Sequence, residues 1–435
     1  MSKGKALYLL LFLFFLSAYA DTDKTDSLTP NGIASPSTYS VVVFDPNLSM
    51  RGGAETIISV HNELTIWENR YIRPRLFSEE KPLGKAGGVV YRLSKYTIID
   101  LPVDIFSFIF AHEYFGHGAR LREQDWVNIQ YEFEIPPPYG SGNGHVSAWP
   151  SSSRMYSDHE LLAFYSGGME VQSLMNRGLC LRWIERREIQ YREAFFYFFS
   201  FWANFNYIIS TSIEDMQDQN TGHDVALYLR LINRHAGYSD INNLLMNAKN
   251  LNYRNMTNLA NPFLFYALYT SLKTYIWYGN PSNKIPMFSI KGIDYLPSFR
   301  MGLAPFGPEY HLENYFQAKN TIFLLDLRIG DNTFHKSWSG IGLFCQNIYE
   351  NKRFSLDAKL DVWKQPEIEI GGENSITLKG GTIGGAFSIR GHYDFTSSQY
   401  PISAILELGY KSPGFLEGYA LDSSPIIMFG IGIHN

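Results

Sequence analysis

The sequence predicts an α+β protein, with a mainly helical region followed by a C-terminal antiparallel β-barrel of about eight strands. Two observations predict this class. Residues from about 98 to 278 hold several helix-length apolar segments, and residues beyond about 286 alternate apolar and polar with the two-residue period of a strand.

The chain opens on Lys3 and Lys5, then an uncharged apolar run from Ala6 to Leu16, then Ser17-Ala18-Tyr19-Ala20. A basic start, a short greasy stretch and a small-x-small site are the marks of a secretory signal peptide over residues 1–20. The run is short for a membrane span, and no cysteine follows it to carry a lipid anchor. The protein is therefore expected to be exported. Residues 21–38, rich in Ser, Thr, Pro and Asp, read as a flexible mature N-terminus.

Removing Lys3 and Lys5 from 37 basic residues leaves 35 against 42 acidic ones, a formal −7. That balance argues against nucleic acid as a partner, because phosphate neutralisation needs a basic surface. Aromatics make up 16% of the chain, which suits a membrane interface where rings are half wet and half apolar. The two cysteines, Cys180 and Cys345, admit either one disulfide or two separate buried thiols.

Residues 39–285 form the mainly helical region. A strand-like run, Tyr39 to Phe44, opens it, and Gly-Gly turns are expected up to about residue 102. Helices are predicted from about Ile98 or Val103 to Arg122, Ser157 to Asn176, Arg182 to Ile213 and Pro262 to Tyr278. Ser157-Asp158 is suited to cap the second. Asn204 and Asn206 interrupt the aromatic third helix, which marks it as buried rather than membrane-spanning. Between the first two helices, Val127, Ile129, Tyr131, Phe133 and Ile135 alternate with polar residues as a strand does. Pro136-Pro137-Pro138 and a glycine-rich loop through Gly144 follow. This element is either a substrate edge with a lid or a surface connection.

Residues 286–435 form the β region. Phe354, Leu356, Ala358, Leu360 and Val362 alternate with Ser355, Asp357, Lys359 and Asp361, and comparable runs end at Phe395, Tyr410 and Ile433. Each run approaches the 9–11 residues that a tilted strand needs to cross a bilayer. A membrane barrel turns the apolar face to lipid, whereas a soluble barrel turns it inward, and the same alternation serves both. Trp338, Tyr349, Trp363, Tyr393, Phe395 and Tyr410 near strand ends favour a barrel in a Gram-negative outer membrane. The ending Ile433-His434-Asn435, without a terminal aromatic, counts against it.

The segment with the most chemistry is Ala111-His112-Glu113-Tyr114-Phe115-Gly116-His117-Gly118. In the zinc motif H-E-x-x-H one helix face carries both imidazoles. Here the second histidine comes one residue later, which puts the two about 140° apart on a regular α-helix. A local wide turn, relaxed at Gly116, would bring them back together, and such turns concentrate at functional sites. This six-residue form resembles the zinc helix of the dipeptidyl peptidase III family, at His112, Glu113, Gly116 and His117. The resemblance implies a zincin-like region in which His112 and His117 bind Zn2+ and Glu113 polarises the attacking water. The family's downstream glutamate ligand falls nearest to Gly167-Gly168-Met169-Glu170, although that family's acidic motif is absent there.

Glu170 is the expected third ligand, with Gly167 and Gly168 letting its helix approach closely. His159 lies on the same face, eleven residues earlier, as a second ligand candidate or a catalytic proton donor. His159, Tyr165 or Arg120 would stabilise the oxyanion. These residues predict an exported zinc-dependent hydrolase, a metallopeptidase acting on a peptide or other amide substrate. Two other classes fit the same sequence. One is a non-enzymatic outer-membrane barrel with a helical ligand- or partner-binding region, and the other is a membrane hydrolase of lipid or cell-wall amides.

Overall fold

The computed structural model describes residues 39–71, 82–151, 154–335, 338–371, 375–395 and 402–434. The expected signal peptide and mature N-terminus, residues 1–38, lie outside the described residues. With 42% of residues helical and 33% in strands, the mixed α+β class holds.

The helical part begins with β1 (Tyr39–Phe44), α1 (Met50–Tyr71) and α2 (Pro82–Lys95). A π-turn (Tyr96–Asp100), α3 (Leu101–Phe110), a second π-turn (Ala111–His117) and α4 (Gly118–Glu123) continue α2 as one helical run. The hairpin β2 (Val127–Phe133) and β3 (Gly144–Trp149) precedes α5 (Asp158–Arg186). Then come β4 (Glu188–Gln190), α6 (Tyr191–Ser210), α7 (Ile213–Gln217), α8 (Asp224–His235), α9 (Ala248–Asn255) and α10 (Pro262–Tyr269). A π-helical turn (Thr270–Trp277) extends α10 and leads to β5 (Ser282–Lys284), which pairs with β4.

Ser157 caps α5 as its sequence implies: its side chain accepts from the Glu160 N–H, and the Glu160 carboxylate accepts from the Ser157 N–H. Two stretches differ from the sequence reading. Gly52-Gly53 is not a turn but lies inside α1, where a Cβ on Gly53 would fall 2.1 Å from the Phe115 ring, so the glycine makes room for a packed aromatic. The helix expected over Arg182–Ile213 is divided, because Arg187 takes a left-handed conformation (φ 56°) and ends α5.

Eight long strands follow the short β6 (Phe288–Ile290): β7 (Ile293–Ala304), β8 (Gly307–Ala318), β9 (Thr321–Gly330), β10 (Ser339–Glu350), β11 (Phe354–Lys364), then, after the small hairpin β12 (Ile368–Ile370) and β13 (Ile376–Leu378), β14 (Ile383–Asp394), β15 (Ile402–Lys411) and β16 (Ser424–His434). They form one antiparallel sheet in the order β1-β16-β15-β14-β11-β10-β9-β8-β7-β6. The sheet is not closed into a barrel. β16 takes β1 as its second neighbour, from Tyr39↔His434 to Phe44↔Phe429, while β7 takes β6.

The sheet's polarity is inverted relative to a water-soluble layer. Leu343, Leu360, Phe387 and Tyr410 stand opposite one another on four successive strands, and all are exposed. Leu408, Ile427 and Phe429 continue the same outer face. The inner face buries Glu313, Asp326, Arg328, Asp361 and Glu407. Arg328 and Asp361 pair within the sheet, whereas others pair with helices: Arg390 of β14 bridges Glu407 and Glu55 of α1, and Arg177 of α5 bridges Glu313 and Asp326. Such pairs contribute less to net stability than to register, since each is costly to bury alone.

The boundary near residue 285 separates helices from strands in sequence but not in space. One core joins Trp183, Phe196 and Phe263 to Leu296, Tyr315 and Leu324 of the sheet. Phe195 and Phe196 of α6 are buried in the core, and among the described residues no helix is long and apolar enough to cross a membrane. Cys180 and Cys345 are separate buried thiols.

Candidate metal centre

The site is built on the second π-turn. Its wide winding is visible in the backbone: the Gly118 N–H donates to the Glu113 carbonyl, five residues back. That winding brings the His112 and His117 Nε2 atoms to 3.1 Å from one another. Packing against α5 explains the glycines. A Cβ on Gly116 would stand 2.6 Å from Gly168 Cα and 2.7 Å from the Gly167 oxygen, and one on Gly168 would fall 2.3 Å from the His112 ring. The helices meet backbone to backbone, and the imidazole fills the space that a Gly168 side chain would take.

The third member of the group is Asp224, at the start of α8 and 112 residues beyond His112. Its Oδ2 lies 3.4 Å from His112 Nε2 and 3.2 Å from His117 Nε2. The three donor atoms therefore form a triangle of 3.1, 3.2 and 3.4 Å sides. A tetrahedral zinc with bonds of about 2.0–2.1 Å sets its ligand atoms about 3.3 Å apart, so the triangle matches the ion's size.

The surrounding groups orient each ligand. His117 Nδ1 donates to the Phe164 carbonyl at 2.7 Å, which leaves the Nε2 lone pair facing the centre. Gln172 Nε2 stands 3.0 Å from His112 Nδ1 while its Oε1 is buried without a partner; with the amide turned over, the oxygen would accept from Nδ1–H and free the His112 Nε2 lone pair for a metal. The Tyr207 hydroxyl donates to Asp224 Oδ2 at 3.0 Å and accepts from the Asp224 N–H at 3.1 Å. The helix start further favours a carboxylate there.

Three converging acceptors repel one another unless positive charge sits among them. Burial alone pulls the His117 imidazolium down, yet the Asp224 carboxylate outweighs it and holds His117 up at about 9. Burial pushes the Asp224 carboxyl up, but the two histidines more than reverse this and hold it far below the usual range.

Glu113, the residue between the ligands, is half-buried with its Cγ near Gly144 at the start of β3. Its charge reaches the centre, since it helps to raise both His117 and Tyr207. The hairpin, which the sequence admits as a substrate edge or a connection, thus flanks the π-turn, and among the described residues β3 pairs with β2 alone.

Glu170 is not a member of the group. Both its oxygens are bound by the Arg120 guanidinium at 2.6 and 2.7 Å, and the Gly418 N–H donates to one of them at 2.6 Å. The approach that Gly167 and Gly168 were expected to allow is real, but it serves His112 and Gly116 rather than delivering Glu170. Arg120 is also bound to Glu123 and the Tyr419 carbonyl, so its two terminal nitrogens are engaged with partners away from the triangle.

His159 is likewise placed elsewhere. Its Nδ1 accepts from the Glu369 N–H at 3.2 Å, so its neutral ring carries the proton on Nε2 and offers a metal no lone pair there. The ring packs on His235 and Phe306, and burial drives its pKa down to about 3. Tyr165 lies within electrostatic reach of Asp224.

Sequence reasoning missed Asp224, Gln172 and Tyr207. The available signal for Asp224 was an acid directly ahead of an amphipathic run, Val225, Leu229 and Ile232, all buried. A second group among the described residues, His311, Glu313 and Asp326, is already neutralised by Arg177 and Arg300.

The two candidate third ligands separate experimentally. Asp224→Ala is expected to weaken zinc binding by more than about 100-fold, beyond the 10–100-fold typical of outer partners. Glu170→Gln is expected to lower the melting temperature by breaking a buried pair while folded protein keeps its zinc. Zinc titration monitored by calorimetry, beside thermal melts, reads both; equal zinc loss in the two variants would count against Asp224. No protein-family model matches this chain, and neither does any curated protein or solved structure.

Proposed function

We propose that the chain is an exported, membrane-inserted zinc hydrolase of amide bonds, a peptidase in which Glu113 is the general base. One observation carries the reading: the His112–His117–Asp224 triangle has zinc dimensions and a glutamate directly after its first histidine. Zinc bound there supplies a Lewis acid and makes water acidic near neutral pH.

The protein's own groups account for the remaining work. Glu113 takes the proton of the attacking water and returns it to the leaving amine. Tyr207 and Gln172 hold Asp224 and His112 in place. The unpaired edge of β3, beside Glu113, suits an extended peptide that pairs with it.

Two features support the membrane part of the reading. The sheet's outer face is apolar while its inner face is charged, and its eight long strands have 10 to 12 residues. This is enough for a tilted crossing of a bilayer.

Metal removal tests the enzymatic part. Detergent-purified protein is expected to carry one zinc per chain by elemental analysis and to cleave members of a peptide library. A chelator should abolish cleavage, and added zinc should restore it. Zinc-loaded protein without turnover on peptides or simple amides would leave a ligand-binding envelope protein instead.

A further inference from the structure

The inverted polarity is not confined to the sheet. The helical run from α2 through the first π-turn exposes Val90, Leu93, Ile98 and Ile99, with Val90 63% exposed. Arg92, Lys95 and Asp100 point the other way, while Lys85 stays exposed near the start of α2. Lys95 and Asp100 are buried and paired at 2.6 Å, and Arg192 of α6 closes a network with Asp100 and Glu68. A helix on a water-facing surface would place these two sets of residues in reverse.

The element packed beside it behaves in the same way. Residues 262–278 expose Phe265, Leu272 and Trp277, while Thr270, Ser271 and Thr274 are buried. α2 packs on the π-helical turn of this segment, and Arg92 Nε donates to the Ile276 carbonyl at 3.0 Å. The segment then runs through β5 into β6 and β7, where Phe288, Ile290 and Ile293 are exposed. The apolar surface therefore continues from the sheet across its β6 edge and onto the helices. At the other edge, α1 packs on β1. Lys85 lies with its Nζ 5.5 Å from the centroids of both the Trp277 and Tyr278 rings, a pairing suited to a headgroup boundary.

We infer that the outer faces of residues 82–100 and 262–278 contact lipid acyl chains and complete the bilayer-facing perimeter that the sheet leaves open between β1 and β6. This rests on the membrane reading above. An open sheet edge in hydrocarbon is prohibitive because its backbone groups go unpaired, so protein must cover it. Helices satisfy their own backbone and carry the apolar side chains that the position demands. The charges of those helices meet their partners inside, which explains how segments too polar to span a bilayer alone form part of its wall. Acyl chains are favoured over a protein partner by this continuity, because a mainly apolar surface runs over both element types, its exposed Thr97 hydroxyl donating to the Leu93 carbonyl.

Spin labels on the full chain in phosphatidylcholine vesicles test the inference. Ile98→Cys and Leu272→Cys report on the helical wall, Leu343→Cys and Phe387→Cys on the sheet, and His145→Cys serves as an exposed polar control. The native thiols are buried and stay unlabelled. At the four apolar positions, collision with dissolved oxygen is expected to exceed collision with a nickel chelate severalfold, with the reverse at His145. Sheet labels in lipid with helix labels in water would overturn the helical wall and leave the membrane reading intact. Helix labels shielded from both probes would also overturn it, showing a protein partner or a second copy on that face. Aqueous signals at the sheet positions would overturn the membrane reading itself.

Discussion

Glu113→Gln is expected to reduce turnover by about 10²–10⁴-fold while the protein keeps one zinc per chain. The exchange preserves side-chain shape beside Gly144 and removes the basic oxygen that receives a proton from water. The three side chains of the metal triangle are untouched, so metal content and thermal stability should match those of the parent. The loss should fall in kcat rather than KM, because the proton moves only during bond cleavage. Stopped-rate assays with parallel metal analysis provide the check. A variant that retains more than about a tenth of the parent kcat would assign the base to another residue. A protein that only binds a ligand would show no turnover before or after the change.

Gly116→Ala is expected to destabilise the fold by about 3 kcal/mol or more and to abolish high-affinity zinc binding. The new methyl would meet two backbone atoms of α5, Gly168 Cα and the Gly167 oxygen, and neither can rotate away as a flexible side chain would. Relief requires the π-turn and α5 to separate, which shifts His112 and His117 relative to Asp224. Gly222→Ala is the matched control, since nothing lies within 4 Å of its added Cβ. Although close to Asp224 in sequence, it should change stability by no more than about 0.5 kcal/mol. Denaturant melts and zinc titration of the two variants distinguish a steric requirement at Gly116 from a general sensitivity of the region.

Much of this centre was legible in the chain, and for physical reasons. Two histidines five residues apart cannot converge on a regular α-helix, so a shared metal at that spacing implied a wide turn, and the backbone adopts one. Gly167 and Gly168 likewise announced a close approach. The third ligand was not legible, because its place depends on α8 packing against α5 and not on local spacing. Glu170 had the better position in sequence, but Arg120 lies beside it in the fold, and a buried carboxylate so paired is unavailable. The strands were readable from their alternation, yet alternation is symmetric and does not say which face is inside. Burial and the ion pairs across the layers, Arg177 of α5 with Glu313 and Arg390 of β14 with Glu55 of α1, reveal that the charged face looks inward. That the sheet stays open and ends on β1 beside β16 was illegible for a similar reason, since the pairing joins segments far apart in sequence.

That seam between β1 and β16 also bears on how the molecule assembles. Tyr39 pairs with His434, so a loop spanning nearly all the described residues must close before β16 gains its second neighbour. The sequence separation of this contact exceeds that of every other strand pair in the sheet, and topologies with high contact order fold slowly. The seam is therefore expected to close late, after the strand pairs whose partners are near neighbours in sequence.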